Sequence, residues 1–300
     1  MNFFMINQPL SKVISRILNS LVHRSGIMIE VNNLYLIHEF NNEIELTERN
    51  KVIESFIKQF KNMTVGIQLY LIGDLESDGS YPVSRHRDLW NSQVISIGAG
   101  NNLIFDEGMA RLGANVWLYD HTVVPIIPRK LKPRIKFINT GVRATNPNLN
   151  CITLEEMVAQ IEQSNESDQT IVKMDCEGIE WDVILSTPQK ILSQIDQLIV
   201  EFHDLNKIVK SRYEKKYLEV LKKLEKDFVI TYVASNNFSP IIQIDQTKNW
   251  AFTIEVHFLN RKALKEIDTE NISLGFPSDL GFEKRNWHLN KSKNLSGWYV

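Results

Sequence analysis

Apolar residues recur at helical spacing near the start of the chain. From residue 10 to residue 22 they fall along one stripe of a helix. A second stripe runs from about Thr47 to Phe60, with Thr47 as the predicted capping residue. The pattern predicts a mainly helical appendage over residues 1–65, with a candidate strand at 27–36. The first helix would either pack on the core or on a second copy of the chain, or lie on a membrane surface, and packing is favoured.

From residue 92 the pattern changes, and short apolar runs alternate with helical stretches. The predicted strands are 94–97, 116–119, 135–138, 171–174 and 198–200. The predicted helices are 105–112, 153–163, 180–193 and 209–226. Such alternation is typical of a parallel sheet with crossover helices, so the sequence predicts an α/β doubly wound domain.

The last part of this region lacks the alternation. Segments 228–234 and 251–259 are both rich in β-forming residues, and no helical stretch separates them. We expect them to pair antiparallel. A mainly parallel sheet that ends in an antiparallel hairpin is the arrangement of Rossmann-like class I methyltransferases, whereas dinucleotide dehydrogenases usually continue with parallel units. The predicted domain covers residues 66–262, and residues 263–300 form an irregular tail.

Composition narrows the function classes. The chain has 300 residues, 43% hydrophobic and 23% charged, which indicates a globular protein. A net charge of -2 disfavours nucleic acid as a partner. There is neither a signal-peptide core nor an apolar run long enough for a membrane span, so we expect a cytoplasmic protein. The two cysteines, Cys151 and Cys176, fit neither a disulfide framework nor a zinc ribbon.

A glycine turn directly follows the first predicted strand. Gly98 and Gly100 stand between that strand and a predicted helix, and glycine lets backbone amides approach a ligand closely. Leu103 occupies the place of the third glycine of a dinucleotide-binding loop, which counts against a pyrophosphate site. The turn therefore predicts a cofactor loop, with a ligand-free tight turn as the alternative.

Asp120 ends the next predicted strand, 22 residues after Gly98. An acidic residue at this distance from a glycine turn accepts hydrogen bonds from the ribose hydroxyls of an adenosine cofactor. S-adenosylmethionine and NAD both carry that ribose. The alternative is that Asp120 only caps a turn.

Acidic residues and one histidine follow two adjacent predicted strands. Asp175 and Glu177 come directly after one strand, and Glu201 and His203 end the next. Parallel strands would bring these four residues to the same edge of the sheet, where open α/β sheets bind ligands. Glu180 and Asp182 fall in the first turn of a helix, where a complement to its dipole is the simpler interpretation.

His203 has three interpretations. It could accept a proton from a substrate hydroxyl, since histidine titrates near neutrality and a neighbouring carboxylate can orient it. It could also bind a metal together with the carboxylates, or be a hydrogen-bonded structural residue. The first is favoured. A divalent metal is compatible with the pattern but is not predicted.

Several ordered motifs resemble the FkbM-type methyltransferase family, in its branch of methyltransferase-like proteins. The matching stretches are 96–101 (SIGAGN) with 105–106 (FD), 175–181 (DCEGIEW), 200–203 (VEFH), 73–74 with 78–81 (GD, DGSY), 235–237 and 255–258. The resemblance covers about residues 70–262. It departs at Asn102, Ile104 and Ser80, where the family has Asp, Ser and Gly. Ser96 also stands where many methyltransferases have an acid that holds the cofactor's ammonium group.

The resemblance implies S-adenosylmethionine as cofactor and methyl transfer to oxygen, often on sugars or secondary metabolites. It implies cofactor binding by Gly98, Gly100, Asn101, Asp120, Asp175 and Tyr81. With the acidic cluster, it gives His203, Glu201 and Glu177 as the catalytic candidates. The predicted partner is a small-molecule or glycan acceptor, and the N-terminal helix could form a homo-oligomer. An inactive interaction protein on the same fold is the alternative function, and an NAD-dependent oxidoreductase is a weaker one.

Overall fold

The computed structural model describes residues 37, 40–41, 44–73, 79–145, 150–162, 169–236, 239–243 and 249–267. The strands are β1 (Tyr70–Ile72), β2 (Tyr81–Val83), β3 (Gln93–Ile97), β4 (Asn115–Tyr119), β5 (Ile135–Ile138), β6 (Gly141–Val142), β7 (Cys151–Ile152), β8 (Thr170–Met174), β9 (Gln197–Phe202), β10 (Phe228–Ser235), β11 (Ile241–Gln243), β12 (Asn249–Ala251) and β13 (Ile254–Asn260). The helices are α1 (Leu46–Asn62), α2 (Ile104–Arg111), α3 (Leu154–Glu162), α4 (Glu180–Ser186), α5 (Gln189–Leu192), α6 (Ser211–Leu224) and α7 (Arg261–Leu264). A short 3₁₀ helix spans Leu205–Val209.

Seven strands form the central sheet, in the order β10-β13-β9-β8-β3-β4-β5. The five strands from β9 to β5 pair in parallel, and β13 is antiparallel to both β9 and β10. The order reverses at β3, so the carboxyl ends of β3, β4 and β8 surround the switch point where such sheets bind ligands. The sheet confirms the predicted doubly wound fold of class I methyltransferases, including its terminal antiparallel hairpin.

Apolar side chains cover both faces of the sheet. In β3, Val94 packs into one apolar cluster with Phe105 and Met109 of α2, while Ile95 packs into a second cluster on the opposite face. A strand buried on both faces needs apolar residues at successive positions. This explains why all five predicted parallel strands are found within two residues of their predicted bounds.

Helix α1 belongs to the larger of the two clusters. Phe56 stands edge-on to Trp181 and Trp250, with ring centroids 6.3 and 5.6 Å away. The predicted cap was wrong, because the helix begins at Leu46 and Thr47 lies inside it. Glu45 is the residue before the helix, and its side chain makes no capping hydrogen bond. The predicted helix at 10–22, the strand at 27–36 and the tail beyond residue 267 lie outside the described residues.

The helix predicted at 180–193 is two helices. Helix α4 ends at Ser186 and α5 begins at Gln189, with Pro188 between them. The proline ring disfavours helical backbone at the preceding residue, and Thr187 is extended with ψ 127°. The apolar spacing continued through the break and therefore hid it. None of the helices in the described part of the chain has the length and apolar character that a bilayer crossing requires.

A fully buried histidine links β13 to the rest of the sheet. His257 Nε2 lies 2.9 Å from Gln197 Oε1, which can only accept, so this nitrogen carries the hydrogen. Its Nδ1 bonds with the Thr231 hydroxyl. Gln197 in turn accepts from the Ser84 backbone at 2.7 Å and donates to the Ser84 carbonyl at 2.9 Å. Burial, with a smaller contribution from His86, lowers the pKa of His257 to about 3.

Acidification should therefore destabilise the protein through His257. The unfolded chain binds a proton at this residue below its ordinary pKa of about 6.5, whereas the folded chain does so only near pH 3. The stabilisation is complete above that ordinary pKa and is lost as the pH falls through the window between the two values. Between pH 7 and pH 4.5 we expect wild type to lose about 2 to 3 kcal/mol more unfolding free energy than His257→Gln. Urea unfolding at the two pH values measures this difference, and equal losses would contradict it.

Candidate active site

A cavity of about 560 Å³ opens at the carboxyl ends of β3, β4 and β8. Its walls come from three loops, at 97–102, 119–122 and 175–177. Tyr81, Phe105 and Lys173 also line it. Cavities of this size hold ligands of drug-like or nucleoside dimensions. The structure thus places the predicted cofactor-binding residues Gly98, Gly100, Asn101, Asp120, Asp175 and Tyr81 around one cavity.

The two glycines of the turn have different local roles. Both have left-handed backbone, with φ of 73° at Gly98 and 55° at Gly100. A Cβ at Gly98 would lie 1.7 Å from the carbonyl oxygen of Asp175, so this glycine lets the loop pack against the end of β8. A Cβ at Gly100 would meet nothing within 4 Å. Space for a ligand is therefore found at Gly100 rather than at Gly98.

Asp120 both lines the cavity and caps its own turn. Its Oδ1 accepts hydrogen bonds from the Thr122 amide and hydroxyl, each at 2.7 Å. Its Oδ2 accepts from the Gly100 amide at 2.9 Å. Burial raises the pKa of Asp120, but these hydrogen bonds outweigh burial and lower it, so the residue is ionised. Oδ2 retains a lone pair that can accept a further hydrogen bond.

A buried lysine stands among the acidic residues. Lys173 Nζ donates to the Gly98 carbonyl at 2.8 Å and contacts Asp175 Oδ2 at 3.4 Å. Burial lowers its pKa, but Asp175, Asp106 and Glu201 outweigh that effect and raise it, so the ammonium group stays charged. The sequence analysis missed Lys173. Its signal was a single charged residue inside the apolar run of a buried strand.

Tyr81 connects the two strand ends. Its hydroxyl lies 3.3 Å from Asp175 Oδ2 and 3.2 Å from Glu201 Oε2. The other oxygen of Glu201 accepts from the Asn236 side-chain amide at 2.7 Å. Glu201 is therefore a buried and hydrogen-bonded carboxylate. Asp78, of the same predicted element as Tyr81, lies outside the described residues.

The structure brings His203 together with the carboxylates, as the strand order predicts. His203 Nε2 is 4.0 Å from Asp175 Oδ1, 3.6 Å from Glu177 Oε2 and 3.7 Å from Glu201 Oε1. The Glu177 side chain is 88% exposed, while that of His203 is 17% exposed. Glu177 lines the cavity, and His203 and Glu201 stand behind it. Glu177 is thus the member of the predicted catalytic set that a substrate can reach.

Glu180 has a role that the sequence analysis missed. Its Oε1 accepts from His203 Nδ1 at 3.0 Å and from the Cys176 amide at 2.7 Å, and its side chain is fully buried. The Gly178 amide donates to Oε2 at 3.1 Å. Glu180 lies in the first turn of α4 as predicted, and these hydrogen bonds give it a further role beyond a complement to the helix dipole. Glu180 fixes the tautomer of His203 and directs Nε2 towards Asp175 and Glu177.

Asp182, two residues further along the helix, has a separate partner. Both of its carboxylate oxygens lie within 3.0 Å of Lys216 Nζ on α6. It therefore takes no part in the cluster around His203.

The carboxylates control the protonation of His203. Burial lowers its pKa, but the hydrogen bond and charge of Glu180, followed by the charges of Glu201 and Asp175, raise it to about 10. In the absence of a bound cation His203 therefore carries a proton at neutral pH. A histidine that is already protonated is disfavoured as the group that first accepts a proton.

The solved structures described below are distantly similar to the chain. None of the known protein-family models matches the chain, and no curated protein matches it. Among solved structures it is similar to an rRNA methylase from Streptococcus thermophilus, at 13% identity and a TM-score of 0.31, covering 58% of this chain and 90% of that one. A Methanococcus jannaschii fibrillarin pre-rRNA processing protein matches at 9% identity and a TM-score of 0.33, covering 58% and 69%.

An FkbM methyltransferase from Methylobacillus flagellatus KT is also similar, at 14% identity and a TM-score of 0.32, and the match covers 55% of this chain and 44% of that one. At these values the similarities assign neither a family nor an activity to the chain.

Proposed function

We propose that the chain is an S-adenosylmethionine-dependent methyltransferase of the FkbM type. The observation that carries the proposal is the cavity at the switch point of the sheet, with the Gly98 turn on one strand end and the ionised Asp120 on the next. This is where an adenosine cofactor binds in doubly wound folds. The strand order, with β13 antiparallel beside β9, favours a methyltransferase over an oxidoreductase.

The residues of the cavity fit this cofactor. Gly100 leaves open space within 4 Å of its missing side chain, beside Asn101, which suits the methionine part. Asp120 Oδ2 has the remaining acceptor capacity that a ribose hydroxyl needs. Asp175 and Glu177 line the cavity with negative charge, which favours a sulfonium cation. When bound, the cofactor supplies an electrophilic methyl group.

The acceptor in this proposal is a hydroxyl group of a sugar or a small metabolite. Its oxygen forms the new bond to the methyl carbon, the broken bond leaves its electron pair on sulfur, and the hydroxyl proton passes to the Glu177 carboxylate. Glu177 is favoured for this step because it is exposed at the cavity, while His203 and Glu201 support it from behind. Holding the two reactants in line would supply most of the acceleration.

Calorimetric titration of the full chain tests the cofactor assignment. We expect S-adenosylmethionine and S-adenosylhomocysteine to bind with one-to-one stoichiometry, and NADH to show no binding. Binding of NADH alone would support the oxidoreductase, and binding of none of the three would support an inactive interaction protein. A mass-spectrometric screen of metabolite and glycan fractions, for a gain of one methylene unit after incubation, would then identify the acceptor.

A further inference from the structure

Two carboxylates that line the cavity and one imidazole behind them converge on a single point. One ligand atom from each of Asp175, Glu177 and His203 lies within 4.8 Å of the other two. Two atoms that each stand about 2.1 Å from a common metal ion are roughly 3.0 to 4.2 Å apart, depending on the angle. The distances of 3.6 and 4.0 Å from His203 Nε2 to the two carboxylates fall within that range.

These ligand atoms are free of hydrogen bonds from other described residues. Asp175 uses Oδ2 for Lys173 and Tyr81, which leaves Oδ1 facing His203. His203 uses Nδ1 for Glu180, which leaves Nε2 facing Asp175 and Glu177. The distances from His203 Nε2 to the Asp175 and Glu177 carboxylates are too long for hydrogen bonds. The hydrogen bonds that do form hold Asp175 through Oδ2 and His203 through Nδ1.

The hydrogen bond from His203 Nδ1 to a carboxylate is the arrangement usually found at metal-binding histidines. Such a histidine donates its second ring N–H to a carboxylate, which fixes the tautomer and the orientation of the ring. Glu180 accepts from Nδ1 at 3.0 Å and is itself held by the Cys176 and Gly178 amides. A fully buried carboxylate anchored in this way keeps Nε2 directed at the same point.

The charges at this point also favour a cation. Four carboxylates surround the imidazole at 3.0 to 4.0 Å, and the side chains of Glu180 and Glu201 are at most 6% exposed. Lys173 and the protonated imidazole provide two positive charges against these four carboxylates, and a divalent ion that displaced the imidazole proton would raise that compensation by one. Carboxylates that are out of water and close together need compensating charge.

We infer that Asp175, Glu177 and His203 form the binding site of one divalent transition-metal ion. The mixed set of two oxygens and one imidazole nitrogen favours an ion such as Mn²⁺ over Mg²⁺, which prefers oxygen ligands. Three protein ligands leave coordination positions open, and the exposure of Glu177 places them towards the cavity. The role of the ion rests on the proposed function: bound there through one oxygen of Glu177, it would orient an acceptor hydroxyl and lower the pKa of that hydroxyl, and the other oxygen of Glu177 would accept the proton.

Titration of the cofactor-free full chain with MnCl₂ tests the site, followed by calorimetry and by electron paramagnetic resonance of the bound ion. We expect one Mn²⁺ per chain for wild type, and at least about tenfold weaker binding for Glu177→Gln, His203→Gln and Glu180→Gln. Glu177→Gln is the principal variant, because an 88% exposed side chain can be replaced without disturbing the fold. Mn²⁺ should also raise the Tm of wild type and not that of Glu177→Gln.

Asp182→Asn is the matched control. It removes a carboxylate from the same stretch of chain, but one that pairs with Lys216, so Mn²⁺ affinity should stay within about twofold of wild type. Absence of saturable Mn²⁺ binding by wild type, or equal affinities for Glu177→Gln and Asp182→Asn, would overturn the site. Because no S-adenosylmethionine is present, the result is independent of the proposed methyl transfer. A chain that binds Mn²⁺ and fails to bind the cofactor refutes the function and leaves the ion site standing.

Discussion

Replacing Gly98 by alanine is expected to lower the free energy of unfolding by about 3 to 5 kcal/mol and to abolish cofactor binding. The new Cβ would stand 1.7 Å from the Asp175 carbonyl oxygen, a distance at which atoms overlap. The residue would also keep a φ of 73°, which L-amino acids adopt at a cost of about 1 to 2 kcal/mol. The rest of the lost unfolding free energy is the cost of moving the Gly98 loop away from the carbonyl of Asp175.

Hydrogen bonds hold the backbone on both sides of this contact in place. The Gly98 amide donates to the Tyr119 carbonyl at 3.0 Å, and the Asp175 amide donates to the Ile97 carbonyl at 3.1 Å. Lys173 adds a hydrogen bond to the Gly98 carbonyl. Any shift that admits a methyl group breaks one of these bonds and displaces Asp175, so the cavity loses its shape together with its stability.

Gly100→Ala is the matched control for the clash. Gly100 has similar left-handed backbone, with φ of 55°, but its Cβ would meet nothing within 4 Å. We expect it to lose only the conformational cost of about 1 to 2 kcal/mol. Chemical denaturation measures the stability of both variants. Calorimetry with S-adenosylmethionine measures binding by Gly98→Ala alone, because a methyl group at Gly100 would enter the space proposed for the cofactor. Equal stability of the two variants would mean that the loop relaxes freely at Gly98.

The sheet and the position of the site could be predicted from the sequence for a physical reason. A parallel strand buried on both faces must be apolar at nearly every position, and its carboxyl end lies beside those of its neighbours. The runs before Gly98, Asp175 and Glu201 satisfy the first condition. The second condition is enough to place His203 near Asp175 without any knowledge of side-chain direction.

The direction of individual side chains could not be predicted in the same way. Glu180 stands in the first turn of a helix, where an acidic side chain is expected to face solvent and complement the helix dipole. The structure instead turns it inward, because His203 Nδ1 and the amides of Cys176 and Gly178, which lie in the loop before the helix, form hydrogen bonds with its carboxylate. Lys173 breaks the apolar pattern of its strand, and only the geometry shows that its partners are the Gly98 carbonyl and Asp175.

Replacing Trp181 by alanine is expected to lower the free energy of unfolding by about 3 to 5 kcal/mol. The indole is sandwiched between Phe202 and Tyr217, with each pair of ring centroids 4.0 Å apart and nearly parallel. Its Nε1 donates to the His203 carbonyl at 2.9 Å. Alanine would leave a cavity between α4, α6 and β9 and would release the backbone of His203, so Mn²⁺ binding should weaken with stability.

Two further variants separate packing from hydrogen bonding in this prediction. Trp90→Ala removes an indole that is 58% exposed, and we expect a loss of about 1 kcal/mol or less. Trp181→Phe keeps an aromatic ring between Phe202 and Tyr217 but removes the donor to the His203 carbonyl, so its loss should lie between those of the other two. If Trp181→Phe binds Mn²⁺ as wild type does, packing alone positions His203. If the Mn²⁺ affinity of Trp181→Phe falls while its thermal unfolding shows an intact fold, the hydrogen bond from Trp181 Nε1 is required. That bond would then hold the end of β9, and with it the imidazole of His203, beside the acidic cluster.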